Sequence, residues 1–151
     1  MSTILVVDDM PIIRAPIAAS LQAAGFRTLC AAGGLEALVL LAERPDLILL
    51  DIQMPGMDGL TFLRLLRHSP RGAAIPVLLL TAEEDRAMVL KAVKLGAQGY
   101  ILKSTFSLKD LVARVQQVLA RPKTVRGSGG QPPGSRSVGG SASNAPAPSP
   151  K

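Results

Sequence analysis

Five polar residues stand at the ends of short apolar segments, and together they carry the groups that phosphoryl chemistry on a carboxylate requires. Asp8 and Asp9 follow the first segment, Asp51 ends the third, and Thr81 and Lys103 end the fourth and fifth. Clustered carboxylates repel one another unless a cation joins them. Oxygen ligands without histidine or thiolate favour a hard ion, and a shallow site with waters favours Mg²⁺ over Ca²⁺. We therefore interpret Asp51 as a nucleophile beside a metal, a hydroxyl and an ammonium group.

Each of these residues also has an ordinary structural explanation. Acidic pairs are common in loops, a threonine at a strand end often caps the next helix, and a lysine usually points to solvent. The site is favoured because all five residues occupy the same topological position, so that neighbouring strands would bring them to one edge of a sheet.

The segment around Asp51 carries the most information about how this residue is positioned. Residues 47–50 are all apolar and do not alternate with polar residues, which is typical of a strand buried on both faces of a parallel sheet. Pro55 and Gly56 follow soon after and predict a turn. The strand is therefore expected to deliver Asp51 to the carboxyl edge of the sheet, where open α/β folds bind ligands.

The apolar periodicity predicts five strand–helix units. Strands are predicted over residues 3–7, 27–31, 47–51, 75–81 and 99–103, and helices over residues 11–24, 35–43, 60–67, 83–95 and 107–119. Ser107 is a predicted N-cap and Gly25 a predicted C-cap, whereas Pro16 is expected to kink the first helix or to delay its start. Such alternation implies a parallel sheet with right-handed crossovers and helices on both faces.

Charge and composition divide the chain near residue 120. Residues 1–120 hold 12 basic and all 11 acidic side chains, so this part is nearly neutral and offers no basic DNA-reading face. Residues 121–151 contain six Pro, six Gly and six Ser with scattered basic residues, and we expect a disordered, basic tail. The tail is interpreted as a solvated segment or linker remnant, with weak electrostatic contact to nucleic acid, anionic lipid or an acidic partner as the alternative.

Cysteine and hydropathy place the chain in a reducing compartment. Cys30 is the single cysteine, which excludes an intramolecular disulfide, and its apolar surroundings predict a small buried side chain. No apolar run is long enough for a signal peptide or a membrane span, so the cytoplasm is the default location. His68 lies near the end of the third predicted helix, where a surface or capping role is expected.

The motifs give this pattern a specific resemblance. They are VVDD at residues 6–9, LLDIQMPGMDG at 49–59, LLLTA at 78–82 and GAQGYILKS at 96–104. Over residues 3–120 the chain resembles a response regulator receiver domain of two-component signalling, in particular a chemotaxis-regulator-like single-domain receiver. The resemblance implies an α/β fold of the flavodoxin-like (βα)5 type, a three-layer sandwich with a five-stranded parallel sheet in the order 2-1-3-4-5.

The resemblance also implies roles for the acidic residues. Asp51 would be the phosphoacceptor, taking the group from a sensor histidine kinase or a phosphotransfer protein. Asp9, Asp51 and the backbone carbonyl of Gln53 would bind Mg²⁺, with Asp8 assisting directly or through water. The chain would thus catalyse only its own phosphorylation and slow dephosphorylation, and would not be a conventional enzyme.

Three further residues would respond to the phosphoryl group. Lys103 would pair with its oxygens, Thr81 would hydrogen-bond to it, and Tyr100 would turn inward when Thr81 moves. The fourth helix, fifth strand and fifth helix would then form the surface for a downstream protein target. The family usually has proline after this lysine; here Ser104 stands there, so the 103–104 peptide could be trans or a strained cis bond.

Several alternatives remain open at the level of sequence. We expect a stand-alone receiver without a DNA-binding domain or a membrane span, and a weak dimer is compatible with it. A phosphorylation-independent docking scaffold, the receiver half of a longer regulator, or a metal-dependent hydrolase are the rival interpretations. The intact acidic site with Thr81 and Lys103 argues against the scaffold. Gln53, at a position where a phosphatase with an aspartyl intermediate would usually have a second Asp, argues against that class.

Overall fold

The chain alternates strands and helices along its whole described length. A computed structural model describes residues 1–82 and 85–121. The strands are β1 (Thr3–Val7), β2 (Arg27–Ala31), β3 (Leu47–Asp51), β4 (Val77–Thr81) and β5 (Gly99–Leu102). The helices are α1 (Pro11–Ala23), α2 (Gly34–Leu40), α3 (Gly59–His68), α4 (Arg86–Lys94) and α5 (Leu108–Ala120), with a short 3₁₀ turn at Leu41–Glu43.

The five strands form one parallel sheet in the order β2-β1-β3-β4-β5, which confirms the predicted fold class and strand order. Val7 is paired with Leu50, so the residues that follow β1 lie beside the end of β3. Thr81 is paired with Leu102, which puts Lys103 one residue beyond the end of β4. The register therefore brings the carboxyl ends of four strands together.

Both faces of the sheet are covered, which explains the continuous apolar runs of the three central strands. On one face, core residues of α2, α3 and α4, among them Ala37, Phe62 and Ala92, pack on the sheet. On the other face, residues of α1 and α5 such as Leu21 and Leu111 do so. The result is the expected three-layer sandwich.

The predicted helix ends are confirmed by their hydrogen bonds. Gly25 has a φ of +97°, and the Phe26 N–H donates to the Leu21 carbonyl at 3.0 Å, which closes α1 in a Schellman motif. Ser107 Oγ accepts from the Asp110 N–H at 3.0 Å and caps α5. Pro16 lies within α1, which continues through it from Pro11 to Ala23.

Three elements differ from the predicted ones by more than one residue at one end, and the other differences are of a single residue. α2 ends at Leu40 and gives way to the 3₁₀ turn, since Arg44 precedes a proline, which disfavours helical backbone, and takes a φ of +56°. β4 begins at Val77 rather than at residue 75. α4 begins at Arg86, and the predicted residues 83–84 of this helix lie outside the described residues.

The prediction that Cys30 is buried is wrong. Its side chain is exposed, because β2 is the edge strand of the sheet and has a neighbouring strand on one side alone. The expectation for the tail concerns residues that, apart from Arg121, lie outside the described part of the chain. Across residues 1–82 and 85–121, no helix has both the length and the apolar character needed to cross a membrane.

Candidate functional site at the carboxyl edge of the sheet

Three carboxylates meet where β1 and β3 end. Asp8, Asp9 and Asp51 each place a side-chain oxygen within 4.8 Å of the others. Asp8 is fully buried and Asp51 is 2% exposed, whereas Asp9 is partly exposed. Burial of two like charges so close together is unfavourable without a positive partner, which marks the cluster as more than a feature of the fold.

Lys103 supplies a positive charge to this cluster from the end of β5. Its Nζ lies 3.0 Å from Asp51 Oδ2 and 3.3 Å from Asp8 Oδ2, and the Lys103 side chain is 20% exposed. These contacts are ion pairs by distance. Among the described residues, no donor is aligned to hydrogen-bond either of the two buried Oδ2 atoms.

Backbone amides fix the other oxygen of each carboxylate. Asp8 Oδ1 accepts from the Met10 N–H at 2.9 Å, and Asp51 Oδ1 accepts from the Gln53 N–H at 3.2 Å. In both cases the donor is two residues further along the chain, where the strand turns into the loop. The two loops thus orient both carboxylates with Oδ2 toward Lys103.

Burial and the neighbouring charges at this edge shift the pKa values of Asp51 and Lys103. Burial raises the pKa of Asp51 to about 6; contact with the Lys103 ammonium lowers it, and the charge of Asp8 raises it further. Burial alone would lower the pKa of Lys103, but its contacts with Asp51 and then Asp8 outweigh burial and raise it. Asp51 is therefore an unusually basic carboxylate held beside a firmly protonated lysine.

The residues at this edge fit a hard divalent cation. The available ligands are the oxygens of three clustered carboxylates, without histidine or thiolate, and this is the ligand set that a hard cation such as Mg²⁺ prefers. Asp8, Asp9 and Asp51 would hold the ion, and the backbone carbonyl of Gln53 is the further ligand that the resemblance implies. Mg²⁺ binding is typical of the receiver family.

Thr81 and Tyr100, the two predicted switch residues, have different surroundings. Thr81 is buried at the end of β4, and its hydroxyl donates to the Ala82 carbonyl at 3.0 Å. The Lys103 N–H donates to the Thr81 carbonyl at 2.9 Å, which ties the two strand ends together. Tyr100 is 48% exposed on the edge strand β5. The peptide between Lys103 and Ser104 is trans.

Two residues that support this site were not singled out from the sequence. The Arg14 guanidinium reaches from α1 and donates to the Asp8 carbonyl at 2.6 Å. Position 59 requires glycine because the backbone of residues 51–52 lies against it. A Cβ at this position would lie 2.5 Å from the Asp51 carbonyl oxygen and 2.7 Å from the Ile52 Cα. An Asp-Gly pair before a helix signals a turn, but only the folded backbone reveals this contact.

Asp85 is a third residue that the sequence did not identify. It is 7% exposed, and its Oδ1 accepts from the Gln53 side-chain amide at 2.7 Å. The helix predicted over residues 83–95 would place Asp85 in its first turn, whereas in the structure Asp85 precedes α4 at the position of an N-cap. Here its carboxylate contacts the loop after β3 instead. His68, in contrast, is an exposed residue at the end of α3, as predicted.

Comparisons with known proteins agree with this arrangement. Residues 4–116 match the family described as response regulator receiver domain. The chain is 34% identical to the Vibrio cholerae chemotaxis protein CheY4, with a TM-score of 0.73 over 78% of this chain and 98% of that one. A putative response regulator from Chloroflexus aurantiacus is 35% identical, with a TM-score of 0.73 over 80% and 98% of the two chains.

Longer relatives share the same region. The DNA-binding response regulator MtrA of Mycolicibacterium smegmatis is 40% identical over 119 residues, which are 78% of this chain and 50% of that protein. The phosphate regulon transcriptional regulatory protein PhoB of Pseudomonas aeruginosa is 40% identical over 120 residues, 79% of this chain and 52% of that protein. The chain spans about half the length of these relatives. Its matched region and its fold show that the chain belongs to the response regulator receiver domain family of two-component signalling.

Proposed function

We propose that this receiver accepts a phosphoryl group on Asp51 from a histidine kinase or a phosphotransfer protein. The observation that carries the proposal is the position of Asp51, which is buried at the end of β3, 3.0 Å from Lys103 and beside two further carboxylates. The pKa of Asp51 is raised to about 6, so near neutral pH it is both mostly ionised and a better nucleophile than an ordinary aspartate.

The residues divide the chemistry between them. An Asp51 carboxylate oxygen forms the new bond to phosphorus, while the bond from phosphorus to the donor breaks and its electron pair stays with the donor. A Mg²⁺ ion held by Asp8, Asp9, Asp51 and the Gln53 carbonyl would supply positive charge for the phosphoryl oxygens. Lys103 would neutralise charge on the phosphoryl oxygens, as an ammonium already within 3.3 Å of both buried carboxylates.

Thr81 and Tyr100 would convert phosphorylation into a change of surface. The Thr81 hydroxyl donates to its neighbour's carbonyl and can exchange this local bond for one to a phosphoryl oxygen. Thr81 would then move inward and leave space for the exposed Tyr100 ring to follow. The face formed by α4, β5 and α5 would thereby change its packing, with the phosphoryl group favouring one of two states.

Phosphorylation with acetyl phosphate and Mg²⁺, followed by intact-mass measurement, tests the proposal. The wild type should gain one phosphoryl group, with no gain in EDTA. Asp51→Asn should gain none, and Asp58→Asn, which changes the half-buried cap of α3, should react like the wild type. A wild type that gains no mass, or an Asp51→Asn variant that gains as much, would contradict the proposal.

A second candidate function concerns the length of the relatives. Because the chain spans about half of relatives described as DNA-binding or transcriptional regulators, a receiver that controls a DNA-binding region is the alternative to a stand-alone receiver. Phosphorylation of Asp51 is common to both. Immunoblotting of the native protein decides between them by its size.

A further inference from the structure

One hydrogen bond joins the loop after β3 to the start of α4. The Gln53 side-chain amide donates to Asp85 Oδ1 at 2.7 Å, across 32 residues of chain. Asp85 is 7% exposed, so water competes little for its carboxylate. No step of the proposed phosphorylation uses this hydrogen bond directly.

The same carboxylate stands where α4 needs a cap. Asp85 directly precedes Arg86, the first residue of α4, yet its side chain caps no N–H of the helix. Its ψ of 28° also lies outside the extended region that capping residues take. By comparison, Asp58 before α3 has a ψ of 171° and accepts from the Thr61 N–H at 2.8 Å. Asp85 thus contacts Gln53 in place of the first turn of α4.

Gln53 is held from both of its ends. Its backbone N–H donates to Asp51 Oδ1 at 3.2 Å, and its side chain is anchored on Asp85. Its backbone carbonyl, which the proposed function assigns to Mg²⁺, is attached to the same Cα as these two held groups. Holding the N–H and the side chain fixes the position of this Cα and so limits how far the loop can carry the carbonyl away from the acidic cluster.

We propose that the Gln53–Asp85 hydrogen bond is a latch that positions the residue 51–54 loop for metal and phosphoryl binding. Asp85 is a positioning residue, because it acts through Gln53. When the latch opens, Asp85 is released to cap α4, so the state of the loop is coupled to the first turn of the proposed signalling helix. The effect of the latch on signalling rests on the proposed function. The coupling between the residue 51–54 loop and the first turn of α4 does not depend on that function.

Hydrogen exchange in EDTA tests the coupling without metal or phosphoryl donor. Gln53→Ala frees Asp85 and should raise protection of the Met88 amide, at the third position of α4, by about fivefold. Asp85→Ala and the double variant cannot form the cap and should show no rise. An unchanged or lowered protection in Gln53→Ala would overturn the coupling. Gln53 is exposed, so its replacement leaves the core intact.

Mg²⁺ affinity, measured by calorimetry, tests the positioning. Gln53→Ala and Asp85→Ala should each weaken binding by about tenfold, as for other residues that orient metal ligands. The double variant should be no weaker than either, because both remove the same hydrogen bond. Asp85→Asn keeps an acceptor oxygen and should recover most of the loss, which a purely electrostatic effect of the carboxylate would not allow. Asp110→Asn, at an exposed carboxylate of α5, is the matched control.

The outcomes separate this inference from the proposed function. Additive losses in the double variant, or no recovery in Asp85→Asn, would overturn the latch even if Asp51 is phosphorylated. If Asp51 accepts no phosphoryl group while exchange and affinity follow the expected pattern, the latch stands and the proposed function falls.

Discussion

The two edges of the sheet differ in how completely their polar groups are hydrogen-bonded. At the amino edge, the Thr3 N–H donates to Asp46 Oδ2 at 2.7 Å, and the Asp46 N–H donates back to the Thr3 carbonyl at 2.7 Å. At the carboxyl edge, Asp8 and Asp51 are buried with one oxygen each lacking an aligned donor, and they share one lysine.

Arg67 extends the contrast. Its guanidinium lies at the amino edge and donates to backbone carbonyls of the loop before β4 and of the end of α4. Those carbonyls belong to Gly72, Ala73, Ile75, Leu95 and Gly96. Charged groups at the amino edge therefore pair with aligned backbone groups, whereas at the carboxyl edge burial opposes the charge of Asp51 and raises its pKa. Buried charge that the fold itself does not favour therefore indicates which edge carries the function. The difference can be tested separately at each edge.

The largest effect is expected from Lys103→Met. This change removes the cation that contacts Asp8 and Asp51, and with it the positive charge for the incoming phosphoryl oxygens. We expect the rate of phosphorylation by acetyl phosphate to fall about a hundredfold or more. Lys109→Met, at an exposed lysine of α5, should leave the rate unchanged. Equal rates for the two variants would remove Lys103 from the chemistry.

Arg67→Met should affect stability rather than chemistry. Several buried or half-buried carbonyls lose a charged donor, so we expect the free energy of unfolding to fall by about 2–4 kcal/mol in urea titrations. The phosphorylation rate of the folded protein should stay unchanged. Arg64→Met, on the exposed side of the same helix, is the control. A large loss of phosphorylation rate in folded Arg67→Met would contradict the expectation that the amino edge contributes to stability alone.

Asp51→Asn and Asp46→Ala should change stability in opposite directions in EDTA near neutral pH. Asp46→Ala loses its bond to the Thr3 N–H and should cost about 1 kcal/mol. Asp51→Asn removes a charge that burial disfavours and should stabilise the protein by about 1–3 kcal/mol. Thermal unfolding measures both, and destabilisation by both variants would contradict the contrast.

The stabilisation by Asp51→Asn should also depend on pH. Because the folded pKa of Asp51 is raised from 3.8 to about 6, the folded protein binds this proton more tightly than the unfolded chain does. The contribution of Asp51 to stability is therefore fully present below pH 3.8 and is lost as the pH rises through about 6. The advantage of Asp51→Asn should grow across this window and be small below it.

The smallest effect is expected at a solvent-exposed ion pair of the amino edge, where β2 begins. Arg27 and Glu43 lie 3.0 Å apart with side chains 49% and 48% exposed. Solvent screens such pairs, so Glu43→Gln should change the free energy of unfolding by less than about 0.5 kcal/mol. A larger loss of unfolding free energy in urea titrations would mean that the distance between the two charges, rather than their burial, sets the contribution of this ion pair to stability.

Much of the architecture could be predicted because the local signals agree with the fold. The apolar runs that end at Val7, Leu50 and Leu80 required strands covered on both faces, and the structure has them. The polar residues placed after those runs meet at one edge, as predicted, because parallel strands share a direction. The burial of Cys30 failed because a short apolar stretch does not reveal which strand lies at the edge.

The supporting contacts could not be predicted because they join distant parts of the chain. Asp85 has the local pattern of an N-cap, and only the folded chain brings the Gln53 amide close enough to compete for it. Arg67 has the pattern of an ordinary basic residue in the last turn of a helix, where the helix dipole favours a positive charge. Long-range hydrogen bonds of this kind leave no periodicity in sequence.

The position of the phosphoryl group tests the central claim most directly. After incubation with acetyl phosphate and Mg²⁺, reduction with sodium borohydride converts an aspartyl phosphate to homoserine, which peptide sequencing then locates. Our account predicts homoserine at position 51 and aspartate unchanged at positions 8 and 9. Homoserine at one of those neighbours, or aspartate intact at all three positions, would contradict it.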